Sequence, residues 1–180
     1  MSALSYDLRV QSIESCESPV GPLIIAATMD AVCLLEFCDP DVLEARLEAL
    51  RNKYAGSISA ATNPHLARLR VQLAEYFAGV RREFDLPLTY PGSPFQQQVW
   101  AMLLRIPYGE RWSYLDVATR IGDPLSTRAV GAANGVNPIA IVIPCHRVVN
   151  ADGKLGGYGG GLWRKRILLD LELGQGTLSL

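Results

Sequence analysis

Between residues 18 and 38 short apolar runs alternate with turn formers. Ser18-Pro-Val-Gly-Pro-Leu-Ile-Ile-Ala-Ala-Thr, then Met-Asp-Ala, then Val32-Cys-Leu-Leu-Glu-Phe-Cys reads as two strands joined by a tight turn. DPDVLEARLEALRNKY, residues 39–54, carries acids at its start and bases at its end, with Val42, Leu43, Leu47 and Leu50 on one face, which predicts a helix. Asn63-Pro64 opens a second helix, with Leu66, Leu69, Leu73 and Phe77 at helical spacing. LPLTYPGSP favours extended backbone and marks a boundary. Beyond it, Ser93-Pro94 caps a helix whose apolar face includes Phe95, Val99, Trp100, Leu103 and Leu104 and which ends at Ile-Pro-Tyr-Gly. Ser113 caps a short helix, YLDVATRI, stopped by Gly122-Asp-Pro, and STRAVGAANG follows at once; two short helices joined by a tight turn form a helix-turn-helix. A last helix, near Leu162 to Leu173, carries Trp163, Ile167, Leu168 and Leu171 with Arg164-Lys-Arg among them. The expected fold is an α/β domain over residues 1–90, a small antiparallel sheet with helices serving as scaffold. A mainly α domain over residues 91–180 follows, with a helix-turn-helix of winged-helix type.

Composition narrows the class. An apolar share of 49% in 180 residues supplies a real core and argues against disorder. No apolar run reaches the length of a membrane span, and MSALSYDLRV lacks a signal peptide's apolar stretch. An intracellular protein is expected, cytoplasmic or, in a eukaryote, nuclear. Its four cysteines (Cys16, Cys33, Cys38, Cys145) are then expected to stay reduced. The net charge of −1 does not announce a nucleic-acid partner. Divided at Gly92, however, the first part carries 8 Lys and Arg against 12 Asp and Glu, and the second 9 against 6. This asymmetry suggests that only the second part approaches a polyanion.

IPCHRVVNADGKLGGYGGG, from Ile143, sets a cysteine against a histidine and follows them with glycines. A thiol attacks as its thiolate, and an adjacent base or cation raises the thiolate fraction. The apolar run from Ile139 to Ile143 and Pro144 plant Cys145 inside the fold, and Arg147 adds a fixed positive charge. Glu172 is a candidate to orient the imidazole of His146 through its other nitrogen. A buried cysteine beside a satisfied histidine is the alternative that chemistry must displace. Cys-His-Glu could also serve a hydrolase, though the helix-turn-helix would then lack a purpose; a transcription factor or lesion sensor would keep that motif and use Cys145 for packing. Cys16, Cys33, Cys38 and His65 match no standard zinc spacing, so no metal is expected, and no cofactor.

PCHRVV, with RAVGAANGVNP before it and LGGYGGGLWRKRILLDLE after it, resembles the O6-alkylguanine-DNA alkyltransferases. SPFQQQVWAMLLRIPYGERWSY is similar to the segment leading into their helix-turn-helix, and SPVGPL gives a looser likeness before residue 85. The resemblance implies a suicide repair protein that moves the alkyl group from O6 of guanine, or less favourably O4 of thymine, irreversibly to Cys145. It implies that His146 deprotonates Cys145 through a water, that Glu172 holds His146, and that Asn137 braces the active-site turn. Tyr114 would protonate the leaving guanine and crowd the target's phosphate, and Arg128 would enter the stack vacated by the flipped base. Ser113, Ser126, Thr127, Ala129 and Gly131 would join them on double-stranded DNA, with the second short helix in the minor groove. Asn134, Val148, Tyr158, Gly159 and Gly160 would line the substrate pocket. A monomer is expected. These roles make chemical sense: displacing guanine from an alkyl carbon needs a soft nucleophile and a proton donor, and a base inside a duplex must be flipped to be reached.

Overall fold

The computed structural model describes residues 9–53 and 62–174. Three antiparallel strands open the fold in the order β1 (Ser12–Cys16), β2 (Leu23–Ala27), β3 (Val32–Phe37). Strand β1 was not legible in the sequence pattern. The stretch from Ser18 to Pro22, expected in the first of the two strands, is instead a turn closed by Gly21 N–H donating to the Ser18 carbonyl at 3.0 Å. Gly21 takes φ +91° there, a conformation that side chains disfavour. All of β2 is buried, because its alternating side chains feed two cores. Ile24 and Ala26 meet Leu47 and Leu50 of helix α1 (Leu43–Lys53), while Leu23, Ile25 and Ala27 join the larger core with helix α2 (Pro64–Phe77). The segment Pro40–Val42 is a tight 3-10 turn before α1, and Val42, expected on the apolar face, is 54% exposed. Tyr54, expected at the end of this helix, lies outside the described residues. Asn63 caps α2 by accepting from His65 N–H and Leu66 N–H, and its amide donates to the Thr28 carbonyl at 2.9 Å, which ties the helix to the β2–β3 turn.

The expected boundary near residues 86–94 does not lie apart from the sheet. Val32 N–H donates to the Pro87 carbonyl and Thr89 N–H to the Val32 carbonyl, at 3.0 and 2.9 Å. Further along β3, Leu35 N–H donates to the Pro138 carbonyl at 2.9 Å, and the Leu35 carbonyl accepts from Ala140 N–H at 2.8 Å. The outer edge of β3 is thus completed by the second half of the chain. One apolar core runs on across the join, from Val20 and Leu23 through Leu73 and Phe77 to Trp100, Ile143 and Leu171.

Helix α3 (Pro94–Leu103) begins with a capping box between Ser93 and Gln96. Leu104 falls beyond it and is 43% exposed, so it leaves the expected apolar face. A two-residue strand β4 (Trp112–Ser113) pairs in parallel with β5 (Val148–Val149) and leads into α4 (Tyr114–Arg120), capped by Ser113 and Asp116. After a turn at Pro124–Ser126, α5 (Thr127–Gly135) completes the helix-turn-helix. Trp100, buried on α3, fixes α5 by donating from Nε1 to the Ala133 carbonyl at 2.9 Å. In α6 (Leu162–Glu172) Leu168 and Leu171 are buried as expected, but Trp163 is 51% exposed while Arg164 and Lys165 are buried. The first turn of α6 faces backbone carbonyls from both halves, which only long cationic side chains can satisfy. Arg147, Arg164 and Lys165 are therefore not surface charges, and the basic excess of the second half largely disappears from its exterior. Among the described residues no helix is long and apolar enough to cross a membrane.

Replacing Trp100 with Phe leaves the Ala133 carbonyl only its longer bond from Val136 N–H, at 3.3 Å, and thins the core between α3 and α5. A loss of about 2–3 kcal/mol is expected, which at this chain length lowers the melting midpoint by roughly 4–12 °C. A midpoint within 1 °C of wild type would show that the hydrogen bond and ring do not carry this contact.

Candidate active site

Cys145 sits on a backbone with little freedom. Ile141, two residues past the pairing with β3, takes φ +68°, a strained value for a β-branched residue. A three-residue turn closes around it, with Val142 N–H donating to the Ala140 carbonyl at 2.7 Å. A second, inverse turn centres on Pro144 (φ −80°, ψ 61°), with Cys145 N–H donating to the Ile143 carbonyl at 2.8 Å. Asn137 holds the two turns together: its amide donates to the Ile143 carbonyl at 2.8 Å and its oxygen accepts from Ile139 N–H at 3.1 Å. Asn134, on the last turn of α5, donates to the Cys145 carbonyl at 3.3 Å. The thiol is thus delivered to a fixed place, buried and 4% exposed.

Behind it stands a buried carboxylate. Glu172, at the end of α6, meets His146 Nε2 through Oε1 at 2.8 Å. The same oxygen accepts from Tyr76 Oη at 2.8 Å and from Arg147 Nη2 at 2.9 Å. Oε2 accepts from Arg147 Nε at 2.9 Å and from Gly109 N–H at 3.2 Å. Arg147 spends its remaining arm on the Ile106 carbonyl at 2.6 Å. Burial alone would raise the Glu172 pKa, but hydrogen bonds and charge from His146 and Arg147 more than reverse this and hold it at about 2. Burial depresses the pKa of His146, against the pull of Glu172, so the imidazole is neutral near pH 7. Facing an ionised carboxylate, a neutral imidazole donates from Nε2–H and keeps a bare lone pair on Nδ1. That Nδ1 is buried and has no hydrogen-bond partner in the protein.

Burial also raises the Cys145 pKa, with Asn137, Tyr158 and the Lys165 ammonium pulling it back, so the resting group is a thiol. Lys165 is fully buried, donates to the Val148 carbonyl at 2.6 Å, and is brought down to about 8 by desolvation. A cavity of about 330 Å³ opens at Cys145. Asn134, Asn137, Tyr158, Gly159 and Gly160 line it from the second half, and the end of β3 closes it from the first. The Tyr158 hydroxyl is buried with no oxygen or nitrogen partner, and burial first, then the charge of Cys145, push its pKa well above the ordinary value.

The remaining residues singled out in the sequence fall elsewhere. Val148 does not line the cavity; it is fully buried in β5 and takes part through its backbone, its carbonyl accepting from Lys165 and its N–H donating to the Cys145 carbonyl. Tyr114 opens α4 with its hydroxyl 3.5 Å from the Gly157 carbonyl, and burial raises its pKa and keeps it protonated. A Cβ on Gly156 would fall 2.8 Å from that hydroxyl, which is why the loop needs glycine there, whereas a Cβ on Gly131 would meet the same ring at an ordinary 3.8 Å. Arg128 and Ala129 are exposed on α5. The Ser126 and Thr127 hydroxyls donate to carbonyls of their own turn, and that of Ser113 is committed to its capping box. Tyr76, Lys165 and the end of β3 are additions that sequence reasoning missed. Among the described residues no group of three His, Cys, Asp or Glu could hold a metal.

Glu172 makes stability depend on pH. Its folded pKa lies below the ordinary carboxylate value of 4.5, so its contribution is complete above that value and is lost as pH falls through about 2. The stability gap between wild type and Glu172→Gln, measured by denaturant titration, is expected to shrink by about 3 kcal/mol across this window. A gap that stays constant to pH 2 would contradict an ionised hub.

Two family models divide the chain. Residues 13–90 match the 6-O-methylguanine DNA methyltransferase ribonuclease-like domain, and residues 94–174 match the 6-O-methylguanine DNA methyltransferase DNA binding domain. The methylated-DNA–protein-cysteine methyltransferase of Mycobacterium tuberculosis is 46% identical over 167 residues, which cover 91% of this chain and 93% of that protein. The constitutive methylated-DNA–protein-cysteine methyltransferase of Bacillus subtilis is 43% identical over 159 residues, covering 88% and 93%. In structure the chain is similar to the M. tuberculosis OGT solved in complex with DNA, with a TM-score of 0.75, 41% identity and coverage of 91% and 93%. A fixed cysteine beside a carboxylate-held histidine, next to a helix-turn-helix and within these matches, makes the chain a member of the methylated-DNA–protein-cysteine methyltransferase family.

Proposed function

We propose that this protein repairs alkylated DNA by direct reversal, moving the alkyl group of O6-alkylguanine, and less well of O4-alkylthymine, irreversibly to its own Cys145. The observation that carries the assignment of the nucleophile is the position of Cys145: the reactive thiol lines the cavity, while the neighbouring imidazole keeps a buried, unpartnered Nδ1. The thiol proton passes to His146 Nδ1 through a water, and the Glu172 carboxylate stabilises the imidazolium that forms. Sulfur then bonds to the alkyl carbon as its bond to O6 breaks, and the electron pair leaves with the guanine. Tyr114, protonated at rest, donates to the departing purine. A thioether results, and no residue of the site can reverse it.

The helix-turn-helix meets double-stranded DNA in the minor groove. The small residues Ala129 and Gly131 allow α5 to approach closely, and Arg128, free of protein partners among the described residues, fills the gap in the stack left by the flipped base. Ser113, Ser126 and Thr127 sit where α4 and α5 begin and would meet the phosphates. In this reading residues 91–180 hold the reacting and DNA-binding groups, and residues 1–90 brace them. An intracellular setting, cytoplasmic or nuclear, follows from the substrate.

One methyl per protein is expected from methylated duplex DNA, located on Cys145 by peptide mass analysis, and Cys145→Ala should keep DNA binding while losing transfer. Repeated turnover, or label on Cys16, Cys33 or Cys38, would overturn the assignment. Arg128→Ala should slow repair of duplex DNA by tenfold or more while leaving reaction with the free O6-alkylated base nearly unchanged, because the free base needs no flipping (a few kcal/mol). Equal slowing of both would place Arg128 in the chemistry or the fold.

A further inference from the structure

We propose that Phe37, at the end of β3 in the first half of the chain, sets the size of the alkyl group that Cys145 accepts. The proposal rests on the alkyl-transfer reading and adds to it a wall of the site contributed from outside the cysteine and DNA-binding half. Phe37 and Cys145 line the same cavity. The Phe37 ring lies against Gly160, where a Cβ would fall 2.9 Å from Cε2, and 5.8 Å from the Tyr158 ring, centroid to centroid, at 59°. It therefore fills the space beside the glycine loop in the cavity wall.

The ring cannot easily yield. The Arg164 guanidinium lies 5.4 Å from its centroid and binds both sides of the wall. It donates to the Gly160 carbonyl at 3.0 Å on one side, and to the Val20 and Cys38 carbonyls at 2.8 and 3.3 Å on the other. Cys38 N–H in turn donates to the Pro22 carbonyl at 3.0 Å, and Leu35 is paired with Pro138 and Ala140. Strand end and glycine loop are thus clamped to each other, so a larger substituent meets a packed wall. A methyl adds only one carbon at the sulfur. A benzyl adds a ring to that carbon, and the Phe37 side chain is itself a benzyl group, so its removal vacates a matching volume.

The test compares transfer from free O6-benzylguanine and free O6-methylguanine to Cys145, which removes base flipping from the measurement. Phe37→Ala is expected to raise the benzyl-to-methyl rate ratio by about tenfold or more, the range that pocket fit commands for small apolar groups. Phe37→Leu, which keeps most of the packing against Tyr158, should raise it by a smaller factor, and Phe37→Trp should lower it. A ratio that stays within twofold of wild type in the folded variants, or that falls in Phe37→Ala, overturns the assignment of Phe37 alone. A wild-type protein that transfers neither group to Cys145 overturns the functional reading beneath it.

Discussion

A single buried carboxylate organises the reacting half of this protein. Glu172 would be expelled by desolvation unless its charge were matched, and Arg147, His146, Tyr76 and the Gly109 amide together match it. They come from three separate parts of the chain: Tyr76 from α2, Gly109 from the loop after α3, and His146 and Arg147 from the short turn that carries Cys145. Satisfying the carboxylate therefore requires the tertiary structure to assemble around it. The tautomer of His146 is a consequence of the same contact, since an ionised carboxylate at Nε2 leaves Nδ1 as the only free acceptor. In the proposed reaction the base for Cys145 is thereby specified by the need to bury a charge safely.

The second constraint is the shared edge of β3. Its pairing with Pro138 and Ala140 fixes the segment that immediately precedes the strained turn at Ile141. Strain of this kind persists only where the surroundings over-determine the backbone, and here the β3 pairing, Asn137 and the Ile139–Ile143 core do so. Arg164 makes a parallel link between the strand end and the glycine loop. The first half is thus more than a support on which the chemistry rests, because Tyr76 reaches the hub and β3 closes the pocket.

Most helices were legible in the sequence, because caps and apolar spacing are local signals. Asn63, Ser93 and Ser113 all cap helices where their side chains suggested. Strand β1 was missed because Ser12–Cys16 mixes polar and apolar residues on a half-exposed edge. In α6 the exposed Trp163 and the buried Arg164 share one cause: the carbonyls of Val20 and Gly160 lie where the Arg164 guanidinium reaches them. Hydrophobic pattern cannot see such acceptors. Lys165 and Glu172, seven residues apart on α6 and so near one face, carried a faint signal of a buried polar site. Cys145, His146 and Glu172 could be proposed from the motif, whereas Tyr76 depends on a contact 96 positions away and Phe37 on the packing of one distant glycine, Gly160, and no local pattern encodes those.

The protonation state of His146 is the point on which the chemistry turns. It can be read from the ¹⁵N shifts of its ring, and with only two histidines in the chain the assignment needs one substitution, at His65. At pH 7 the account requires a neutral ring, protonated at Nε2 toward Glu172 and bare at Nδ1. A ring protonated at Nδ1, or an imidazolium in the unalkylated protein, would contradict it, because neither could accept the Cys145 proton.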